Sequence, residues 1–402
     1  MKIQFLKSVS NCLVLSAVLL ATSCNEEQIM QESMAEGQEV GNNSNAKFSI
    51  PKKLDAFGLA EKIEDYMEQE KTSFGYSIFS GGNEVFVGMG GDGFARKSFE
   101  SGGSHSHGAS VKQETNQVTQ YVTALAVFRT LRKNNLSLKT KVWPYLPKDW
   151  TPSDQFKNLN FEQLLAHKTG LKYDGTPQSI KISVKGNVNT SVRQPNDINY
   201  ILLGIMTPYI DAVEMSKKGN ATKLTQLNMS ASNFPLYQSE FRKNVQENVF
   251  IPAGLKDASL IDWDAWNASG TIAAHLSTQG YPEKTGNAPG TDKPSTYAIG
   301  GATGLYMSAS QFAQLQYAVS QLKVIPSSDI ILMKSNLIGY DGALEGSLGK
   351  YYYKSGIGHN CETLIINFGS AQVAIFANTP QASFASTPSE IALLFEKSLV
   401  EL

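Results

Sequence analysis

The sequence has few cysteines, no excess of charge of either sign and no long hydrophobic run beyond Cys24. Its three cysteines are Cys12, Cys24 and Cys361, and the first two lie in or directly after the N-terminal apolar stretch. An intramolecular disulfide framework is therefore excluded. Basic and acidic residues number 35 and 36, so overall charge does not favour nucleic acid, and no nucleic-acid partner is expected. No later segment approaches the roughly 20 consecutive apolar residues of a membrane-spanning helix.

The N-terminus has the pattern of an export signal. Lys2 and Lys7 give a short basic start, residues 12–21 are apolar, and small residues precede Cys24. A cysteine at this junction resembles a bacterial lipobox, with Ala21 where leucine is usual. We therefore expect residues 1–23 to be a lipoprotein signal peptide and Cys24 to carry a lipid that anchors the protein to a membrane. The alternative is ordinary secretion, which would leave Cys24 as an exposed thiol in an oxidising compartment.

Residues 24–46 are predicted to form a flexible tether, because Glu, Gln, Asn, Gly and Ser dominate and periodic apolar residues are almost absent. The acidic start at residues 25–27 resembles a surface-export signal of some Gram-negative lipoproteins, although a solvated linker has the same composition. Residues 47–402 are expected to form one large domain. We predict an α/β lobe from residues 47–112 and 295–402, and a helical lobe from residues 113–294.

Hydrophobic periodicity predicts an α+β domain. Helical spacing appears over residues 54–70, 115–134, 160–166, 198–212, 236–249 and 309–320, with a final helix from about residue 389. Residues 74–79 and 84–88 flank a Gly-rich turn and predict a hairpin. Residues 94–110 are rich in Gly, Ser and His and predict a loop. Three β-rich segments, at residues 350–356, 361–368 and 372–378, precede the final helix.

Several segments, in order, resemble the serine β-lactamase and penicillin-binding-protein family, in particular class C β-lactamases and DD-peptidases. They are residues 123–147, 164–171, 199–204 and 249–260, then Gly300-Gly301, residues 308–315 and Lys354-Ser355-Gly356. The resemblance covers residues 50–402. It implies an antiparallel sheet flanked by helices, with an inserted all-α lobe.

The resemblance also implies three catalytic elements. In the family, a Ser and a Lys share one face of a helix turn, so that the lysine can take the serine proton. A Tyr-x-Asn loop supplies a second proton carrier, and a Lys-Thr/Ser-Gly strand forms the opposite wall. Backbone N–H groups of the serine and of that strand form the oxyanion hole.

In this chain, the first two elements are degenerate. Counting back without gaps from residue 123 assigns Gln117 to the serine position and Gln120 to the lysine position. The Tyr-x-Asn triplet falls on Pro195-Asn196-Asp197. An amide neither titrates nor attacks, so the covalent acyl-enzyme step loses both participants. The third element remains as Lys354, Ser355, Gly356 and Ile357, where Lys354 is expected to bind a carboxylate and the Ile357 N–H to donate.

A shifted register would change this assignment. Ser110-Val111-Lys112 resembles the Ser-x-x-Lys motif, but its serine and lysine are one residue too close together. Placing the motif there would also require an insertion of seven residues before residue 123. Ser320 and Lys323 have the right spacing but follow Gly300-Gly301, which favours an exposed helix end. Thr115 and Thr119 flank the motif without a base at the required offset.

Other residues carry weaker patterns. His105-x-His107 and His359-x-Cys361 have the spacing of metal ligands on a strand, but partners are missing nearby, so loop polarity and a buried thiol are favoured and no metal is expected. His167 is interpreted as a structural hydrogen-bonding residue. Strand alternation places Tyr352 on the same face as Lys354, which suits a binding wall or ordinary packing. Trp263 and Trp266 suit either a lid or packing.

Together these patterns favour a pseudoenzyme of the envelope. We expect a lipid-anchored protein, in the outer membrane on its periplasmic or its outer face, whose cleft binds a peptide or a peptidoglycan-like small ligand without cleaving it. No cofactor is expected. The alternatives are an active serine hydrolase, such as a β-lactamase, DD-peptidase or esterase with an unrecognised nucleophile, and a non-catalytic assembly or adhesion module.

Overall fold

The computed structural model describes residues 51–69, 73–91, 94–100, 103–229, 234–263, 277–283, 287–291, 298–379 and 383–402. Lys52–Leu402 forms one compact unit. The predicted signal peptide, Cys24, the predicted tether and Trp266 lie outside the described residues.

An antiparallel six-stranded sheet is the centre of this unit, with strand order β3-β2-β11-β10-β9-β8. The strands are numbered in chain order as β1 (Lys52–Leu54), β2 (Phe74–Ser80), β3 (Asn83–Gly90), β4 (Phe94–Arg96), β5 (His105–Ser106), β6 (Gln113–Glu114), β7 (Tyr306–Met307), β8 (Gly342–Gly346), β9 (Gly349–Gly358), β10 (Cys361–Asn367), β11 (Ala371–Ala377) and β12 (Leu399–Glu401). The pairs β1–β12, β4–β5 and β6–β7 form three small additional sheets. The chain thus brings its N-terminal hairpin and its C-terminal strands into one sheet.

Helices cover both faces of the sheet. Numbered α1 to α12 along the described residues, they are Ala56–Gln69, Thr119–Lys133, Asp154–Lys157, Phe161–Leu165, Pro177–Ser183, Ile198–Lys217, Thr222–Met229, Phe234–Val245, Ile251–Ala253, Ala309–Ser320, Ser327–Ser335 and Pro388–Glu396. A 3₁₀ turn, Asn116–Val118, leads directly into α2. Within the part of the chain that the structure describes, no helix combines the length and the apolar character needed to cross a membrane.

Two hydrophobic cores lie on opposite faces of the sheet, as the alternation of side chains along a strand requires. In β10, Leu364 and Ile366 join α1 and α12 in the smaller core, whereas Ile365 points to the larger one. The larger core contains α2, α6 and α10, and α10 packs on β2 and β11. Because both faces are covered, every residue of β10 is buried. The buried α2 is thereby held between the sheet and the helical part of the chain.

The predicted α+β class is confirmed, and the differences from the sequence interpretation are local. Residues 94–110 were predicted to be a loop, but they contain two short strands, β4 and β5. These strands pair with each other and form a small antiparallel sheet of their own. The strands β8 and β12 add to the three predicted C-terminal strands. The helix predicted over residues 236–249 ends as a π-helix at Gln246–Phe250.

Candidate functional site

Gln117, Gln120, Pro195 and Lys354, which the sequence analysis placed at the family's catalytic positions, line a single cavity of ≈ 350 Å³. Gln117 lies in the 3₁₀ turn before α2, Gln120 in the first turn of α2, Pro195 in the loop before α6 and Lys354 on β9. The other lining residues are His167, Asn196, Asp197, Asp341 and Ser355. The sequence analysis therefore singled out residues of three separate chain segments that line one cavity in the folded protein.

The turn that carries Gln117 packs directly on β9. Gly356 makes this approach feasible, because a Cβ at that position would lie 2.5 Å from the Thr115 carbonyl oxygen and 3.0 Å from the Gln117 nitrogen. Asn116 has a positive φ of 45°, which asparagine tolerates better than most residues. Its side-chain Nδ2 donates to the carbonyls of Gly358 at 3.2 Å and Cys361 at 3.4 Å. The backbone of the turn is thus fixed at the end of the β9–β10 hairpin.

Gln120 links the strand to the helical part of the cavity. Lys354 Nζ donates to Gln120 Oε1 at 3.0 Å, and Gln120 Nε2 donates to Asp197 Oδ1 at 2.9 Å. An ammonium group only donates and a carboxylate only accepts, so these two partners determine the orientation of the amide. The glutamine at the lysine position is therefore a neutral bridge between an opposite pair of charges.

Lys354 forms an ion pair with Asp341, whose role the sequence analysis missed. The Lys354 Nζ–Asp341 Oδ1 distance is 2.6 Å, and the two side chains are 5% and 27% exposed. Asp341 Oδ2 also accepts from the backbone N–H of Ser355 at 2.9 Å and from its hydroxyl at 3.0 Å. Burial by itself raises the pKa of Asp341, but the Lys354 charge and these hydrogen bonds outweigh it, so the pKa lies below its ordinary value. The ammonium that was expected to hold a ligand carboxylate is paired within the protein.

Asp197 has the opposite electrostatic balance. It precedes α6 at the N-cap position but makes no side-chain cap; its Oδ1 accepts from Gln120 Nε2, and Asn196 Oδ1 accepts from the Ile198 N–H. Burial raises the pKa of Asp197, and hydrogen bonds from Gln117 and Gln120 together with the Lys354 charge only partly offset that rise. One cavity thus contains two carboxyl groups whose pKa values are shifted in opposite directions.

His167 is held as a neutral ring. Its Nδ1 accepts from the Asn196 N–H at 3.3 Å and lies 3.2 Å from Asn199 Nδ2, so the ring proton is placed on Nε2. Burial, aided by the charges of Lys354 and Arg193, lowers the pKa of His167 to about 3. A neutral imidazole with so low a pKa is a weak base at neutral pH.

The residues that were considered as alternative positions for the Ser-x-x-Lys motif lie outside the cavity. Lys112 donates to the Leu260 carbonyl, and Ser320 donates to the Tyr317 carbonyl at the end of α10. Thr115 and Thr119 hydroxyls lie 3.3 Å apart, and Thr115 also donates to the Leu305 carbonyl. None of these side chains lines the cavity. They have structural partners that account for their polarity.

The histidine and cysteine patterns do not form strand ligand pairs. His107 is buried, its Nε2 lying 3.2 Å from Gln113 Oε1, whereas His105 is partly exposed. His359 and Asn360 both have positive φ values in the two-residue turn between β9 and β10, so His359 is not on the strand with buried Cys361. Among the described residues, no group of three or more His, Cys, Asp or Glu side chains could hold a metal ion.

The aromatic residues near the site take part in packing. The Tyr352 ring lies 5.4 Å from that of Tyr340, and Lys334 Nζ lies 5.3 Å from the Tyr352 ring centre. Trp263 is buried, packs against Phe241 and donates to the Gly300 carbonyl at 2.6 Å. Neither Tyr352 nor Trp263 lines the cavity.

Comparison with known proteins shows a likeness in structure alone. Neither a protein-family model nor a curated protein matches the sequence. The chain is similar in structure to FmtA from Staphylococcus aureus (14% identity, 92% of this chain and 96% of that one, TM-score 0.59). It is also similar to a class C β-lactamase from Rhodobacter sphaeroides (15%, 84% and 99%, 0.57) and to a penicillin-binding protein from Bacillus halodurans (16%, 82% and 99%, 0.56). The expected β-lactamase/DD-peptidase-like fold is confirmed.

Proposed function

We propose that this protein is an envelope lipoprotein whose cleft binds a peptide or a cell-wall fragment without cleaving it. The observation that supports this proposal is the position of Gln117 and Gln120. Both line the cavity, and both carry amides that cannot attack a carbonyl or accept a proton at neutral pH. A cavity that offers neither a nucleophile nor its base is suited to binding rather than to cleavage.

The remaining polar groups of the cavity do not replace the lost pair. Ser355 has a hydroxyl, but it donates to Asp341, whose lowered pKa makes that carboxylate a weak base. His167 is a weak base for the reason given above, and its Nδ1 is occupied by the Asn196 N–H. Pro195 has no proton to transfer. A serine activated for attack therefore has no counterpart among the described residues that line this cavity.

The open volume favours a ligand site over a vestigial cleft. A cavity of ≈ 350 Å³ lies at the lower end of the range for small-molecule sites, which is about 300–1,000 Å³. Its lining groups offer donors and acceptors together, as a short peptide requires. An adhesion or assembly module would not need this space.

Covalent labelling tests the absence of cleavage. The full-length protein is incubated with a fluorescent penicillin and with a fluorophosphonate, and mass spectrometry searches for an adduct. We expect none. A stable acyl adduct on any residue would replace the pseudoenzyme proposal with that of a working hydrolase.

Binding is tested with soluble peptidoglycan fragments and isothermal titration calorimetry. Pro195 is exposed at the cavity, so Pro195→Trp should obstruct the entrance and weaken binding. Gln194→Trp is the matched control, because Gln194 is exposed next to it but does not line the cavity. Equal loss in both variants, or no binding by the unmodified protein, would contradict a cleft ligand.

The envelope part of the proposal rests on the sequence around Cys24. Lipid attachment predicts that the protein partitions into the detergent phase of a Triton X-114 extract and that Cys24→Ser moves it to the aqueous phase. Retention of the variant in the detergent phase would exclude this anchor.

A further inference from the structure

The edge of β9 next to the cavity is incompletely paired. β10 accompanies β9 to its end, whereas β8 pairs with it only as far as Tyr353. The Asp341 N–H donates to the Tyr353 carbonyl, so the backbone groups of Tyr353 point away from β10. Alternation along an antiparallel strand makes the N–H groups of Ser355 and Ile357 point to the same side. Among the described residues, no strand pairs with this stretch.

The side chains of Asp341 and Gln117 accept hydrogen bonds from these two N–H groups. Asp341 Oδ2 accepts from the Ser355 N–H at 2.9 Å, and Gln117 Oε1 accepts from the Ile357 N–H at 3.2 Å. Asp341 is also fixed by its ion pair with Lys354. Gln117 has no ion pair, and Ile357 is 51% exposed. Of the two caps, the Gln117 carboxamide is the one that a ligand can exchange.

Only the side chain of Gln117 needs to move for this exchange. Its backbone is fixed by the contact of the 3₁₀ turn with Gly356 and by the hydrogen bonds of Asn116. The side chain is half-buried and faces the cavity. A change of rotamer would uncover the Ile357 N–H without disturbing the turn.

The groups around the Gln117 side chain define the chemistry that can replace it. Its carbonyl oxygen accepts from the Ile357 N–H at 3.2 Å, and the Asp197 carboxylate, which can only accept, lines the same cavity. The site thus offers a backbone donor and a carboxylate acceptor, the two groups with which a carboxamide can pair. The Lys354 charge is neutralised by Asp341, and Asp197 adds a second carboxyl group. A ligand carboxylate would therefore meet no unpaired cation among the described residues that line the cavity.

From this geometry we infer that the cleft takes its ligand through a neutral carboxamide, which replaces the side-chain amide of Gln117 between the Ile357 N–H and Asp197. The inference rests on the proposed binding function and names the ligand group that the site selects. Gln117 is then an internal competitor. Because one hydrogen bond contributes about 0.5–1.5 kcal/mol net, its removal should strengthen amide binding roughly twofold to twelvefold.

The test uses the full-length protein, in detergent, with two matched probes, N-acetylglycinamide and N-acetylglycine. Gln117→Ala removes the competing amide, and Gln117→Met removes it while keeping the side-chain length. Gln321→Ala is the control, since Gln321 is exposed after α10 and outside the cavity. Hydrogen–deuterium exchange with electron-transfer fragmentation follows the Ile357 amide, and titration of this signal gives the affinity of each probe.

In the absence of probe, both Gln117 variants should exchange the Ile357 amide faster than the unmodified protein and the control. N-acetylglycinamide should restore protection and bind both variants more tightly, whereas N-acetylglycine should not. Unchanged exchange, unchanged amide affinity, or a preference for the carboxylate probe would overturn the inference. These results are separate from binding of peptidoglycan fragments, whose failure in every variant would instead refute the proposed function.

Discussion

Replacing each of the two cavity aspartates by asparagine should change stability in opposite directions. Asp341→Asn keeps one oxygen for the Ser355 donors but turns an amide NH₂ toward the Lys354 ammonium, which also only donates. Asp197→Asn keeps an acceptor for Gln120 Nε2 and removes a charge that burial disfavours. At neutral pH we therefore expect Asp341→Asn to be less stable than the unmodified protein and Asp197→Asn to be more stable.

The contacts of Asp341 determine the size of its effect. Removing one partner of a buried ion pair costs about 3–5 kcal/mol, and the 27% exposure of Asp341 places it at the lower end, about 3 kcal/mol. A unit of about 350 residues has an unfolding entropy of about 0.7 kcal/mol/K near 60 °C. The melting temperature of Asp341→Asn should then be lower by about 4 °C.

The pH dependence follows from the direction of each pKa shift. The pKa of Asp341 is lower in the folded state, so its stabilisation is complete above the unfolded value of about 3.9 and is lost as the pH falls through the folded value. The pKa of Asp197 is raised, so the ionised group destabilises the fold at neutral pH and this penalty disappears in acid. Both variants should approach the unmodified protein in stability below about pH 4.

Calorimetry and urea unfolding between pH 3 and pH 8 measure these differences. Gln120 must keep its place in both variants, which a crystal structure of each would verify. If both substitutions shift stability in the same direction at pH 7, or if the Asp341→Asn deficit persists unchanged at pH 3, the assignment of charges in this cavity is wrong.

Three other predictions follow from individual contacts. Gly356→Ala should destabilise the protein by about 1–3 kcal/mol in urea unfolding, because its Cβ would lie 2.5 Å from the Thr115 oxygen; equal stability would show that the turn can shift away. Because burial lowers the pKa of His167 to about 3, its ring signals in NMR should not titrate between pH 5 and 8, and this group should make the fold less stable as the pH falls below about 6.5; a midpoint near 6.5 would contradict the neutral ring. The double variant Gln117→Ser/Gln120→Lys should not hydrolyse nitrocefin at a rate typical of a β-lactamase, whereas substantial turnover would refute the requirement for a third proton carrier.

The sequence was sufficient to predict the fold, and Gln117, Gln120, Pro195 and Lys354, which it singled out, line one cavity. The helices and strands could be predicted from apolar periodicity, because that periodicity depends on local backbone geometry. The order and spacing of the landmark segments then indicated how these elements are arranged in the fold. The count from residue 123 places Gln117 and Gln120 on one side of a turn, and a turn of 3₁₀ type at Asn116–Val118 does not change that. Predictions from sequence spacing therefore agree with the structure where the residues concerned are close together in the chain.

Asp341 could not be predicted because its role depends on strand pairing. No motif surrounds it, and only the pairing of Gly342 with Tyr353 brings its carboxylate to Lys354 and Ser355. The same limit applies to Gln117, whose contact with the Ile357 N–H depends on the close packing at Gly356. The sequence shows that residue 117 is an amide, but the atoms that the amide contacts are determined by tertiary structure.

The arrangement of charges also explains why introducing a serine at position 117 and a lysine at position 120 should not produce turnover. A lysine at position 120 would place its ammonium beside Lys354 Nζ, which now donates to Gln120 at 3.0 Å, and would remove that acceptor. Its nearest counter-charge would be Asp197, now 2.9 Å from Gln120, and pairing with a carboxylate stabilises the protonated amine. A protonated lysine cannot take the proton of a serine at position 117, and Pro195 offers no second route. Turnover would therefore require changes at Asp197 and Pro195 as well, and nitrocefin hydrolysis should appear only in variants that carry them.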